Sequence, residues 1–308
     1  MSQPRFLIFG AGGLGAAYAS RFYTTDPTSV AFLASGDRYQ RLADHGVVVN
    51  GQPYRIPVIA PDHPPYPADL IIVALKHQHL ASALPDLRPF VGPETIVLSV
   101  MNGLDSEPMI DAAIGPGHTL LAIAMGIDAL RTGNAVVFST LGVIYFGERD
   151  NTLSPRVQAV QGWFDHARIA YRTPPDMRKI MWWKFMVNVG INQTSAVLGA
   201  PFGEFQRSAD LRAVMEAAMR EVIVLAQAEG VPLGEADITA FHDVLHNMHA
   251  DGKTSMLQDV EAGRKTEVEI FAGKVRQLGQ TRGIPTPVND VLFHAIRTLE
   301  ARYLPSAG

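Results

Sequence analysis

Lys184, Asn188 and Asn192 fall four residues apart in WWKFMVNVGINQTSAVLG (182–199), a segment that is otherwise largely apolar. On an α-helix, four residues advance about 6 Å and overshoot a full turn by about 40°. The three side chains would then point nearly one way over about 12 Å. Burying an unsatisfied amide costs about 1–3 kcal/mol. A sealed core has no use for three such groups, whereas a cleft that takes up a polar small molecule supplies their partners. A solvent-facing stripe on an amphipathic helix is the competing reading, and the spacing alone leaves it open. The chemistry that suits the trio is one in which negative charge builds on a carbonyl oxygen. An ammonium within hydrogen-bond reach stabilises that charge and supplies the proton.

A second constellation stands at the start of the chain. FGAGGLG places Gly10, Gly12 and Gly15 in the spacing G-x-G-x-x-G, directly after the apolar run RFLIFG (5–10) and before a helical stretch. In a strand–turn–helix context this spacing suits a dinucleotide. The first glycine permits the tight turn, the second admits the pyrophosphate to the backbone, and the third lets helix and strand approach closely. The phosphates would meet free N–H groups at the helix N-terminus, drawn from Gly10, Ala11, Gly12, Gly13, Leu14 and Gly15. The next strand ends FLASGDRYQR, without the acidic residue that would bind a ribose 2′-hydroxyl. Arg38 and Arg41 follow it, which favours NADPH over NADH, although Asp37 blurs the signal. Lys76 and Asn102 each follow a buried-strand pattern (LIIVAL and IVLSVM), the place where open α/β sheets bind ligands. On position alone a solvated lysine and a turn asparagine account for them equally well.

Further along, TSMLQDVEAGRKTEVEIFAG (254–273) carries Ser255 and Glu267. These could share a broad face only if one helix runs unbroken, and by pattern alone an exposed charged face is the simpler account. His242, His246 and His249 lie on one face of a helical pattern, a spacing that can bind zinc. The pattern fixes no acidic ligand, and a wet helical face is the better reading. Trp182 and Trp183 are expected to pack between domains, and Gln258 and Asp259 to cap or cross-link helices.

The elements that must position these residues divide into two sets. Strand-like runs at 5–10, 29–34, 68–76 and 95–103 alternate with helical stretches. A hairpin is expected at 47–59, and further strands lie on either side of the TGN turn (132–134). This pattern implies a doubly wound parallel sheet of Rossmann type. After YRTPPDM (171–177), where Asp176 is placed to cap a helix, helical patterns dominate at 176–199, 208–230, 235–249, 254–280 and 287–302. The expected organisation is α/β, with a dinucleotide-binding domain over 1–173 and an all-helical substrate and catalytic domain over 174–308.

The bulk composition narrows the function classes. The chain has 308 residues, 47% hydrophobic and 18% charged, enough for sizeable cores. A net charge of −4 gives no footprint for nucleic acid. The absence of cysteine excludes thiol catalysis, disulfides and cysteine metal sites. No apolar run approaches the roughly 20 residues of a membrane span, and the N-terminal run is too short for a signal peptide. The expectation is a cytoplasmic protein that partners a small molecule, neither a membrane nor a nucleic acid, with a homodimer left open.

GAGGLG, VALK, NG, K-x-x-x-N-x-x-x-N, SMLQDVEAGRKTEVE and GIPTPVNDVL occur in this order from the first strand to about residue 300. Together they resemble the ketopantoate reductase (2-dehydropantoate 2-reductase) family. The resemblance implies NADPH-dependent reduction of ketopantoate to pantoate, in pantothenate and coenzyme A biosynthesis, in a cleft between two domains, without a metal. It implies that Gly10 to Gly15 bind the pyrophosphate, that Lys76 contacts the adenosine half, and that Asn102 touches cofactor and substrate. It further implies that Lys184 is the general acid, that Asn188, Asn192 and Ser255 hold the substrate, and that Glu267 closes the site against both ligands. The chain departs from the family twice. The family often has an arginine near Ser35, a role left here to Arg38 or Arg41. Its P-N-G-E run reads PFGEF (201–205), with Phe202 in the asparagine's place. The rival readings are a related two-domain dehydrogenase of another 2-keto acid, an opine or a polyol phosphate, and a non-catalytic NADP(H) sensor.

Overall fold

The computed structural model describes residues 3–304. The outermost ends of the two expected domains, 1–2 and 305–308, lie outside the described residues. The chain divides into two compact units, 1–177 and 178–308.

The first unit follows the order β1 (Phe6–Phe9), α1 (Gly13–Thr25), β2 (Val30–Leu33), α2 (Gly36–His45), β3 (Val47–Val49), β4 (Gln52–Tyr54), β5 (Val58–Ile59), β6 (Leu70–Val73), α3 (His77–Ala83), β7 (Ile96–Ser99), α4 (Ser106–Ile114), β8 (Thr119–Met125), β9 (Leu130–Thr132), β10 (Ala135–Val137), β11 (Val143–Gly147), α5 (Pro155–Ala167) and β12 (Tyr171–Arg172). Eight strands form one sheet in the order β12-β11-β8-β7-β6-β1-β2-β5. From β5 to β8 all neighbours run parallel. The strands FLIF, VAFL, LIIV and IVLS are buried throughout, because both sheet faces are covered. Alternate side chains feed two cores: Phe6, Ile8, Phe32 and Ile72 on one face with α1 and α5 residues, and Leu7, Phe9, Leu33 and Ile71 on the other with Leu80 and Ile110.

Two features depart from the simple alternating pattern. β11 runs antiparallel to β8. The expected hairpin strands β3 and β4 join β9 and β10 in a separate four-stranded sheet, through a parallel pairing of β3 with β10. Each of these strands has three residues, and the β3–β10 pairing is non-local, so hydrophobic periodicity carried no trace of it.

Among the described residues the second unit is built of helices alone: α6 (Met177–Val187), α7 (Gln193–Leu198), α8 (Phe202–Arg207), α9 (Ala209–Ala228), α10 (Glu235–His246), α11 (Ser255–Glu261), α12 (Lys274–Arg282) and α13 (Pro287–Glu300). A π-helical turn, Asn188–Asn192, joins α6 to α7, and another, Glu269–Gly273, precedes α12. Helix α9 packs closely on the first of these: a Cβ on Gly190 would sit 2.6 Å from the Met219 side chain and 3.0 Å from the Met215 carbonyl oxygen.

The helix expected over 254–280 is broken, which corrects the sequence reading. α11 stops at Glu261, and Gly263 adopts the left-handed region. The Thr266 N–H and hydroxyl both donate to Glu300 Oε1 at 2.8 Å instead of continuing a helix. The Trp183 indole N–H donates to the Asp237 carbonyl at 3.2 Å and its ring meets Phe241, both within the helical unit. No helix among the described residues is long and apolar enough to cross a membrane.

Candidate active site

In the first unit, β1 lies where the strand order reverses, between β2 and β6, the switch point at which such sheets bind ligands. Gly10 has φ +116°, and a Cβ there would fall 2.5 Å from the Ala74 carbonyl oxygen. A Cβ on Gly15 would fall 1.8 Å from the Gly10 oxygen. The fold itself therefore demands both glycines. Gly12 is different: its φ is −74°, open to any residue, and the nearest atom to an added Cβ is 3.9 Å away. Nothing inside the chain requires its bareness, whereas a ligand approaching the backbone would. Gly12 is also the N-cap of α1, with no side-chain cap and no acidic residue in the first turn. The turn from Gly10 through Ala11, Gly13 and Leu14 to Gly15 thus fits a dinucleotide pyrophosphate.

Lys76 is exposed at the N-cap position of α3, just past β6, and Asn102 is half-buried in the turn after β7. Both sit at the carboxyl edge of the parallel strands. Beneath Asn102's turn, Ser99 Oγ donates to Ser106 Oγ and Ser106 Oγ to Glu107 Oε2, each at 2.8 Å. Burial pushes the Glu107 carboxyl up to about 7, against the hydrogen bonds from Ser106 and the Ala122 backbone.

Arg131, on β9, was invisible to the sequence reading. Its guanidinium donates to the Ala11 carbonyl inside the glycine turn and to Gly133 O at 2.8 Å. Burial first, then the charges of Arg38 and Arg41, hold Arg131 below the usual arginine range. Arg38 is lowered by burial and by Arg41. Three guanidiniums thus gather beside the dinucleotide turn, two from α2 and one from a hairpin in the other sheet. Their mutual repulsion is what an anion would relieve. Only the isolated RTG of a short hairpin marked Arg131 in the sequence.

In the helical unit, Lys184 and Asn188 are half-buried and Asn192 is buried at 7% exposure. These burials disfavour a freely solvated stripe. The π-helical turn matters to their alignment. An α-helical step of four residues overshoots a full turn, whereas the wider π turn falls short of it. The second step therefore takes back part of the drift of the first. Burial lowers the Lys184 ammonium to about 8, while the Glu267 carboxylate acts in the opposite direction. The tertiary fold thus brings within electrostatic reach two residues that no common helix joins.

Ser255 opens α11 and is exposed. Its neighbour Thr254 caps that helix, donates to Ser195 Oγ at 3.1 Å and so pins the end of α11 to α7. Phe202 is half-buried against Gly252, and its N–H donates to Gly252 O at 2.9 Å. His242 Nε2 stands 3.1 Å from Glu216 Oε1, and among the described residues no cluster of three or more His, Cys, Asp or Glu is placed to hold a metal. Asp259 pairs with Arg264 at 2.8 Å, and Gln258 donates to Lys253 O at 3.1 Å.

A dinucleotide turn at the switch point of a Rossmann-type sheet, followed by a helical unit with a half-buried lysine within electrostatic reach of a glutamate, defines a nicotinamide-dependent oxidoreductase. The sequence matches the family described as "Ketopantoate reductase PanE/ApbA" over 6–151 and its C-terminal part over 176–300. It is 30% identical to the 2-dehydropantoate 2-reductase of Vibrio cholerae over 236 residues, 76% of this chain and 78% of that protein. The chain belongs to the ketopantoate reductase family. Its fold is shared with the 2-dehydropantoate 2-reductase of Geobacter metallireducens (26% identity, TM-score 0.83, 96% of this chain and 99% of that one). A D-mandelate dehydrogenase solved with NADH and anilino(oxo)acetate also shares it (18% identity, TM-score 0.88, 97% and 99%).

Proposed function

We propose that this protein reduces an α-keto acid with NADPH, that 2-dehydropantoate is its leading substrate and pantoate its product, and that it serves pantothenate and coenzyme A synthesis in the cytoplasm. The observation that carries this reading is Lys184, an ammonium that burial lowers to about 8, so that it can give up its proton, with Glu267 acting in the opposite direction and two carboxamides following along the chain.

The nicotinamide supplies a hydride to the carbonyl carbon of the keto acid when it is bound. Gly10 to Gly15 hold the pyrophosphate through backbone N–H groups and the α1 dipole. Lys76 meets the adenosine half, and Arg38, Arg41 and Arg131 meet the 2′-phosphate. Asn102 touches both ligands. Lys184 donates a hydrogen bond to the carbonyl oxygen, stabilises the charge that develops there and transfers its proton, so that ketone, hydride and proton become alcohol and the lysine is left neutral. Solvent then reprotonates it. Asn188, Asn192 and Ser255 orient the carboxylate and hydroxyl groups of the substrate, and Glu267 accepts from a substrate hydroxyl and favours the ammonium.

A bulkier, less polar 2-keto acid is the second reading, and Phe202 favours it: an aromatic ring packed on Gly252 replaces a hydrogen-bonding side chain. The fold shared with a mandelate dehydrogenase is in keeping with such a substrate. The test is NADPH consumption against a panel of 2-keto acids, with Lys184→Ala as control. The expected result is fastest turnover on 2-dehydropantoate and a loss of about 10²–10⁴-fold in kcat for the variant. Preference for an aryl keto acid would install the second reading, and wild-type rates in Lys184→Ala would remove the lysine from the chemistry.

A further inference from the structure

Both polypeptide segments that frame the Lys184–Glu267 pair are π-helical: Asn188–Asn192 follows the lysine, and Glu269–Gly273 follows the glutamate. One side chain ties them together. Gln193 is fully buried. Its Nε2 donates to the Val189 carbonyl at 2.8 Å and to Asn289 Oδ1 at 3.1 Å, and its Oε1 accepts from the Ala272 N–H at 3.0 Å. Backbone partners at both ends settle which way the amide faces. Asn289, also fully buried, donates through Nδ2 to Glu221 Oε2 at 2.7 Å and to Ala218 O at 3.3 Å. Its Oδ1 is thereby turned to Gln193. The Glu221 carboxylate accepts from the Val288 and Asn289 N–H groups at 2.7 and 3.0 Å, in the first turn of α13, where the helix dipole favours negative charge.

Two amides and a carboxylate thus form one satisfied relay inside an apolar unit. Such networks specify a single arrangement, and half-satisfied ones are costly. A methionine or leucine would fill the Gln193 site without the cost of burying polar atoms. What a hydrophobe could not do is hold a carbonyl of one π turn and an N–H of the other at fixed separation. Single π turns within helices are frequent at functional sites.

We propose, on the reading of Lys184 as proton donor, that Gln193 is a positioning residue: it locks the two π-helical turns in one register and so holds Glu267 opposite Lys184. If the turns drift apart, the lysine keeps its burial and loses the opposing charge.

The experiment compares full-length wild type with Gln193→Met, which keeps the length and loses the polar atoms, and Gln193→Asn, which keeps the amide and loses the reach. Two readouts need no turnover. Amide hydrogen exchange is expected to quicken in residues 188–192 and 269–273 together. The ionisation of Lys184, followed by the pH dependence of its acetylation by acetic anhydride in mass spectra, is expected to move about half a pH unit or more further below 8. The basic limb of kcat should move with it, while the KM for NADPH stays as in wild type. Exchange that changes in one turn only, or an unmoved Lys184 titration in a folded variant, would overturn the inference. Undiminished activity of Lys184→Ala would instead remove the proton-donor reading and leave the coupling of the two turns standing on the exchange data.

Discussion

Lys184 depends on Glu267 through charge. Burial brings the ammonium to about 8, and the carboxylate is what keeps it from falling lower. With Lys184 as the proposed proton donor, kcat should be flat below about pH 8 and fall above it. Glu267→Gln removes the charge that raises the lysine, so the basic limb should move to lower pH by about one unit, equivalent to ~1.4 kcal/mol. Stopped-flow oxidation of NADPH across pH 6–10 would check it, and a limb that stays in place would show that Glu267 does not govern the charge state. Arg131 makes a parallel case in the first unit. If its guanidinium meets the 2′-phosphate, Arg131→Gln should weaken NADPH about tenfold or more and leave NADH little changed, since a hydrogen bond to a charged group is worth about 1.5–3 kcal/mol. Equal losses for both cofactors, measured by fluorescence titration, would assign Arg131 to the pyrophosphate instead.

The elements explain why these residues stand where they do. β1 and α1 are joined by a turn whose three glycines do different work. A methyl group at Gly15 would collide with the Gly10 carbonyl, so Gly15→Ala should cost about 3 kcal/mol of stability. At Gly12 the space is open, so Gly12→Ala should cost less than about 1 kcal/mol while NADPH affinity falls by an order of magnitude or more. Urea unfolding and cofactor titration of the two variants would separate the roles, and unchanged NADPH affinity in Gly12→Ala would argue against a ligand at that turn. The strands around this turn were legible in advance because short β-rich runs such as FLIF and LIIV, bounded by turn residues and alternating with helical stretches, fit strands buried on both faces of a parallel sheet. The π turn at Asn188–Asn192 was not. Its sequence, NVGIN, fits an α-helix as well, and it is the approach of α9 at Gly190 together with Gln193's bonds to Val189 and Ala272 that accompanies the wider turn.

The molecule divides into two compact units, each carrying its own share of the proposed chemistry. Ligand that binds only the folded state stabilises it by mass action, about 2.7 kcal/mol at a hundredfold excess over Kd. NADPH should therefore raise the unfolding midpoint in a concentration-dependent way, with exchange protection concentrated at Gly10–Gly15 and the start of α2. Protection absent from the glycine turn would place the cofactor elsewhere.

The one-dimensional pattern sufficed for what is local. It held the Rossmann-type succession of strands and helices, the glycine spacing, and the Lys184–Asn188–Asn192 stripe, because hydrophobic period and turn chemistry are written in neighbouring residues. It misjudged 254–280, where a helical pattern yields to Thr266's two hydrogen bonds with Glu300, a residue far along the chain. Arg131 beside Ala11, Glu267 beside Lys184, and Gln193 between two π turns were decided only in three dimensions. Each rests on a polar group meeting its partner across the fold, and no periodicity records which distant atom will satisfy a buried donor or charge.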